Sequence, residues 1–240
     1  MTDVASEPER IAESVSDLEP AVQVGPPART VRRTLVSIAA LLLALTTGVA
    51  IGVLIPILQR PGDESAEAGF ARDMQTHHTQ AVEMSMVLYG RSTDAELKTI
   101  AWDIALTQQA QIGIMSTWLA NWHLSPTGPG PAMAWMNTPP IHGEKPMAGA
   151  PMTVNADGLM PGMASAAELN QLRTASSPQL DILYCQLMIR HHLGGITMID
   201  GILARTDRSE VRELAEPMRT SQRLDITGFT DIQRRLATNR

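Results

Sequence analysis

One pattern constrains this chain more than any other: it occurs twice. Phe70-x-x-x-Met74-x-x-His77-His78-x-x-x-x-x-Met84 returns as Tyr184-x-x-x-Met188-x-x-His191-His192-x-x-x-x-x-Met198, at a constant offset of 114 residues, the distance from His77 to His191. The match runs past the motif. Glu96, Leu97, Lys98, Ile100, Ala101, Gln108 and Ile112 align with Glu210, Val211, Arg212, Leu214, Ala215, Gln222 and Ile226. A repeated unit that cannot bury its own apolar face must bury it against its copy, so the repeat predicts architecture before any single element is assigned.

Each repeat reads as a helical hairpin. The first helix is expected from about Ala66 to Tyr89, closed by a left-handed cap at Gly90. The second opens on Thr93-x-x-Glu96 as a capping box and ends before Pro126. In the second copy Ser177-Pro178 supplies an N-cap and a first-turn proline, and Asp207-x-x-Glu210 repeats the start signal. Pro217 falls inside the last helix, where it should kink it. Two such hairpins docked about a pseudo-twofold axis give an all-α, ferritin-like four-helix bundle over residues 64–237. Its parts are repeat one at 66–124, a Pro/Gly/Met-rich linker at 125–164 too broken for regular structure, and repeat two at 165–237. Just after the linker Ser165-x-x-Glu168 starts a short helix before the second hairpin. Composition agrees: aromatics are only 3% of the chain while Met numbers 14, a core of aliphatics and thioethers rather than of β-sandwich residues.

Ahead of the bundle, Leu35 to Leu58 contains no charged residue, long enough to cross a bilayer as a helix. A transmembrane anchor over 34–59 is expected, with a cleaved signal peptide as the alternative. Arg29, Arg32 and Arg33 precede the run and only Arg60 follows it, which places the N-terminus in the cytoplasm and the bundle outside it. Residues 1–33 are acidic, proline-bearing and poor in apolar residues, and are expected to form a disordered cytoplasmic tail.

Charge and cysteine narrow the chemistry. A net charge of -6 without a basic stripe argues against nucleic acid as a partner. The single Cys185 excludes an internal disulfide framework and CxxC metal or redox motifs. No nucleophile elbow or phosphate-cradling glycine loop is present, so no catalytic residues are assigned and an enzyme is not expected. What remains is His and Met. On a helix, spacings of three, four and seven share a face, so Phe70, Met74, His77, Ala81 and Met84 form one stripe, as do Tyr184, Met188, His191, Gly195 and Met198. Ala81 and Gly195 are expected to let these two helices approach closely. His77, His78, His191, His192, Met74, Met84, Met188 and Met198 are the candidate metal ligands. Imidazole with thioether is the donor set of a copper ion, Cu(I) in preference, with zinc possible through the imidazoles alone. A carboxylate-bridged di-iron centre is disfavoured, because Asp73 and Glu83 near the first pair have only Leu187 and Thr197 as counterparts. Two bland readings stand beside these. Met at helical spacing is ordinarily core filler, and paired His can form a packing network that duplication simply copied. In the linker, Met133, Met136, His142, Met147, Met152, Met160 and Met163 read either as a copper-capturing segment or as apolar cover for a groove; Cys185 reads as a buried hydrophobe or an auxiliary thiolate.

The segments Phe70 to His78 (FARDMQTHH), Leu159 to Met163 (LMPGM) and Met188 to Gly195 (MIRHHLGG) resemble the signature segments of the bacterial family called domain of unknown function 305, over about residues 64–237. The resemblance implies a ferritin-like four-helix bundle in the periplasm or outside the membrane, and, because some relatives are implicated in copper binding and resistance, a metal role for the eight motif residues. Gly194-Gly195-Ile196 and Tyr184-Cys185 depart from the usual pattern. Three functions follow as expectations: a membrane-anchored extracytoplasmic copper-binding protein for sequestration, tolerance or handling; a metal-free structural or partner-binding bundle; a metal-dependent redox enzyme.

Overall fold

A computed structural model describes residues 28–141 and 153–238. The expected tail before residue 28 and the linker residues His142, Met147 and Met152 lie outside the described residues. Two units emerge, 1–59 and 60–240, and each is described by itself.

The first unit holds α1, Ala28–Leu58. It starts inside the stretch that the sequence reading assigned to the tail. Within its Arg29–Ile55 portion an 18-residue window reaches a mean hydropathy of 2.5, the length and composition of a membrane span or of a signal sequence.

The second unit is all-helical among the described residues: α2 (Ala66–Arg91), α3 (Ala95–Asn121), a 3₁₀ turn (Ala134–Asn137), α4 (Ala166–Thr174), α5 (Gln179–Leu203) and α6 (Ser209–Thr238). α2 packs on α3 and α5 on α6 as hairpins, and α2 packs on α5 to join them. The two motif helices are therefore the central pair of the four-helix bundle.

Several helix ends differ from expectation for local reasons. α2 runs through Gly90 to Arg91 and closes on Ser92, in extended backbone, whose N–H donates to the Leu88 carbonyl. α3 is capped by Asp94, not Thr93: one carboxylate oxygen accepts from the Leu97 N–H at 3.0 Å while the other takes Arg235 of α6 at 2.8 Å, two roles a threonine hydroxyl cannot fill together. α5 starts at Gln179, with Pro178 in the cap position and no side-chain cap bond. α6 starts at Ser209, two residues after the expected Asp207, and continues through Pro217. The box at Ser165 and Glu168 forms as read, each side chain meeting the other's backbone N–H.

The described part of the linker is more ordered than its composition suggests. Met133, in left-handed backbone (φ 67°), leads into the 3₁₀ turn. Asp73 of α2 accepts from the Met133 N–H at 2.7 Å and the Trp135 indole N–H at 2.8 Å, and Arg205 donates to the carbonyls of Met136 and Thr138, both at 2.7 Å. Charged hydrogen bonds thus hold a strap of otherwise unhelical sequence over one end of the bundle, with Trp135 edge-on to Phe70 at 5.8 Å.

Candidate metal centre

The repeat fixes the geometry of the site. Because α2 and α5 cross as equivalents, His77 meets His191 near the pseudo-twofold axis, their ring centroids 3.7 Å apart and tilted by 33°. His78 and His192 flank them, at 6.5 Å from His77 and 6.2 Å from His191 respectively. All four rings are buried, none more than 1% exposed. They form a polar layer between two apolar clusters. The antiparallel run splits each motif's methionines: Met74 joins Met198 in one cluster and Met84 joins Met188 in the other. The eight candidate ligands are therefore not one crowd. They are four central imidazoles with a buried thioether pair beyond them at each end, and all four methionines are fully buried.

Three of the four imidazoles are held by Nε2. His77 Nε2 donates to the Pro161 carbonyl at 3.0 Å, His78 Nε2 to the Gln111 amide oxygen at 2.7 Å, and His192 Nε2 to the Asp225 carboxylate at 3.1 Å. Those bonds place a proton on Nε2, and in the neutral rings of His77 and His78 they leave the lone pair on Nδ1. His77 Nδ1, His78 Nδ1, His192 Nδ1 and His191 Nε2 have no hydrogen-bond partner. Gln111 and Asp225 are themselves 114 residues apart, so the repeat copies the orienting group along with the ring, once as amide and once as carboxylate. Sequence reasoning missed both, although applying the offset to polar positions outside the motif would have found them.

Burial sets the protonation state. Desolvation pushes His77 from 6.5 down to about 4, against the Pro161 bond, and His78 down to about 3, with His77 adding to the effect. It holds His191 well below the ordinary range, with the other three imidazoles adding to it. A charged imidazole cannot be hydrated at these three positions, so His77, His78 and His191 stay neutral and each keeps a lone pair.

A single turn, Met160 to Met163, covers this layer from the linker side. Gly162 has φ 78°, and a Cβ on it would strike the Arg190 carbonyl and the His191 backbone. A Cβ on Gly194 would collide with the Pro161 carbonyl and come within 2.7 Å of the Gly162 nitrogen. Gly194 is thus the seat of the turn, and the repeat shows why it is glycine: its counterpart is Gln80, whose amide instead clasps the next residue of the same segment, accepting from Ala164 N–H at 2.6 Å and donating to Ala164 O at 2.9 Å. Gly195 does not face α2 as expected. A side chain there would strike Gln222 of α6, and the helix approach it permits is within its own hairpin. Beside the turn lies a cleft of about 650 Å³, bordered by Met160, Met163, Asp157, Glu168 and Arg190, with Arg190 and Glu168 paired through two 2.7 Å bonds.

Other groups are occupied or inert. Asp73 holds the strap, and Glu83 pairs with Arg173 on the surface. Burial pushes the Cys185 thiol up to about 12, so it is a protonated core residue and not a thiolate. Met133 and Met136 belong to the strap itself and are core residues through which it packs on the bundle. Among the described residues, no three His, Cys, Asp or Glu side chains converge as a ready metal cage.

The profile of the family described as domain of unknown function (DUF305) matches residues 67–233. Among solved structures, a DUF305 secreted-protein candidate from Streptomyces coelicolor is 38% identical, covering 73% of this chain and 96% of its own, with a TM-score of 0.63. A DUF305 fragment from Deinococcus radiodurans is 29% identical over 71% of this chain and 96% of its own, with a TM-score of 0.56. CopM in a Cu(II)-bound form shares the fold at 24% identity, covering 71% of this chain and 97% of its own, with a TM-score of 0.53; it has also been solved bound to Cu(I) and to Ag. No curated protein matches the chain.

Proposed function

For a chain that belongs to the DUF305 family, and whose two signature motifs fold into one buried layer of imidazoles, we propose that the function is binding of a soft transition-metal ion, copper(I) before zinc. The observation that carries this reading is the set of four ring nitrogens that are buried and have no protein hydrogen-bond partner. A buried polar atom left unbonded costs about 1–3 kcal/mol, and a layer that accumulates four of them is poorly explained as packing. Those nitrogens, His77 Nδ1, His78 Nδ1, His191 Nε2 and His192 Nδ1, are the candidate donors from which metal ions would be held, with the rings of His77, His78 and His192 oriented by Pro161, Gln111 and Asp225.

The ion's identity follows from what surrounds the donors. Met74 with Met198 and Met84 with Met188 add thioether sulfur on both sides, a ligand that copper(I) accepts and hard cations refuse. Zinc asks for four donors in a tetrahedron, and since no three His, Cys, Asp or Glu side chains converge among the described residues, an ion held by fewer imidazoles fits better. CopM, of the same helical fold, has been solved with Cu(I), Cu(II) and Ag bound, which supports the same class of cargo here. With carboxylates Asp73 and Glu83 engaged elsewhere, binding and handling fit the site better than redox catalysis. We place the bundle outside the cytoplasm, held by α1 as an N-in anchor, where copper sequestration or tolerance is the corresponding role.

Competition titration of the full chain with Cu(I) tests this. Wild type should bind. His77→Ala with His191→Ala should remove most of the affinity, and Met74→Leu with Met188→Leu should lower it with helical content unchanged, since Leu keeps the volume and removes the sulfur. A wild-type chain that takes up no Cu(I), or double variants that bind as wild type does, would return the layer to a packing role.

A further inference from the structure

The internal repeat supplies its own control for surface composition. α3 and α6 are equivalent helices, and so are the outward positions of α2 and α5, yet the two hairpins show solvent different chemistry. On the first, Met86, Tyr89, Trp102, Leu106 and Ile114 are 47, 38, 41, 54 and 42% exposed. At the offset of 114 residues, the second carries Asp200, Leu203, Glu216, Thr220 and Gly228. There Asp200 pairs with Arg219 and Glu216 with Arg212, the ordinary dress of a solvated face. From Ile104 to Trp122, α3 contains no Asp, Glu, Lys or Arg.

The exposed residues form one patch. Ser116 donates to Gln75 at 2.6 Å and the Tyr89 and Trp102 rings lie 5.1 Å apart, which fixes the antiparallel register of α2 and α3 and sets Met86 level with Leu106. Lys98 lies 5.2 Å over the Tyr89 ring, so the aromatic pair is braced at the surface. Ile114 extends the strip two turns along α3.

We propose that this α2–α3 face is where a second copy of the chain docks, the two copies related by a twofold axis. Charge chooses that occupant. A twofold interface sets a patch against its own copy, where an uncharged surface has no like charges to bring together; Leu106 and Ile114 stand on a stretch with no charged residue over nineteen positions, Ile104 to Trp122, with Lys98 and Asp103 before it. An anionic bilayer surface selects clustered Lys and Arg, and this face offers Lys98 alone on a chain of net charge -6. Area agrees. With large apolar and aromatic side chains burying about 150–250 Å² each when fully covered, the exposed portions here come to roughly 400 Å² per copy. Two copies then bury about 800 Å² of apolar surface, which with a polar rim reaches the roughly 1,000 Å² of a weak, reversible dimer.

The test uses the full chain in detergent micelles. Because the native thiol Cys185 is buried, Leu106→Cys should give a disulfide-linked dimer on mild oxidation at least about tenfold faster than Thr220→Cys at the equivalent place on α6. Light scattering over a concentration series should show reversible dimers whose dissociation constant rises about tenfold or more with Leu106→Lys, and stays unchanged with Thr220→Lys, at equal melting temperatures. Monomers at every concentration, dimers indifferent to Leu106→Lys, or equal cross-linking at the two positions would each overturn the proposal. Quenching of a label at Leu106→Cys by spin-labelled lipid in vesicles would overturn it in favour of a membrane-facing surface.

Discussion

Gly194→Ala is the sharpest probe of the turn that covers the imidazole layer. Alanine is the better helix former by about 1 kcal/mol, so on propensity alone the substitution in α5 should stabilise. The structure reverses the sign. The new methyl collides with the Pro161 carbonyl and approaches the Gly162 nitrogen to 2.7 Å, and both are backbone atoms that no side-chain rotation can clear. Overpacking of this kind costs about 1–3 kcal/mol, and with backbone on both sides the upper value applies, leaving a net loss of about 2 kcal/mol once propensity is credited. For a chain of this size that is a fall of about 4–8 °C in melting temperature. Gly113→Ala in α3, where a Cβ meets nothing within 4 Å, is the control and should rise by about 2–4 °C. Circular-dichroism melts of both variants decide it. A Gly194→Ala variant as stable as wild type would mean that the turn is not seated on α5 and that Pro161 does not orient His77.

Three further outcomes are expected. Because His77, His78 and His191 are all depressed in the fold, the unfolded chain binds more protons below about 6.5, so their stabilisation is complete above that pH and lost as pH falls toward about 4 and then 3. At about 1.4 kcal/mol per unit the loss is on the order of several kcal/mol, and urea midpoints that do not change between pH 7 and 4.5 would contradict it. Asp73→Ala removes the acceptor of two N–H groups and should cost about 1–3 kcal/mol while exposing the strap at Met133 to Asn137 to proteolysis; an uncut strap would show that other contacts hold it. Protease added to spheroplasts should degrade the bundle and spare the segment before α1, and the reverse pattern would invert the orientation drawn from Arg29, Arg32 and Arg33.

The repeat made the hairpins and the central pairing of the motif helices legible, because a 114-residue offset and a 3.6-residue period are written directly in the positions of Phe70, Met74, His77 and Met84. Legibility failed where a residue's role depends on a partner far along the chain. Gly195 looked like a small residue in the interhelical stripe, yet its neighbour is Gln222, 27 residues on; Gly194 beside it is the residue that admits another segment. Asp94 outcompetes Thr93 as a cap because Arg235 occupies its second oxygen. The linker read as structureless since Pro and Gly break helices, but Asp73 and Arg205 supply the hydrogen bonds its own backbone cannot make. The same blindness hid Gln111 and Asp225, which orient His78 and His192 and carry no signature of their own. The pH dependence of metal binding moves as well. An exposed imidazole would release its ion near 6.5, whereas His77 and His78 stay neutral well below that.

The central claim, that the unpartnered imidazole nitrogens are the metal donors, is open to direct reading by ¹⁵N NMR of the histidine rings during titration of the full chain with Ag(I), a redox-inert stand-in for Cu(I). The account predicts that resonances of His77 Nδ1 and His191 Nε2 move on stoichiometric addition, while His77 Nε2 remains a protonated donor to Pro161. Ag(I) that perturbs only the exposed His123, or none of the buried ring nitrogens, would contradict it.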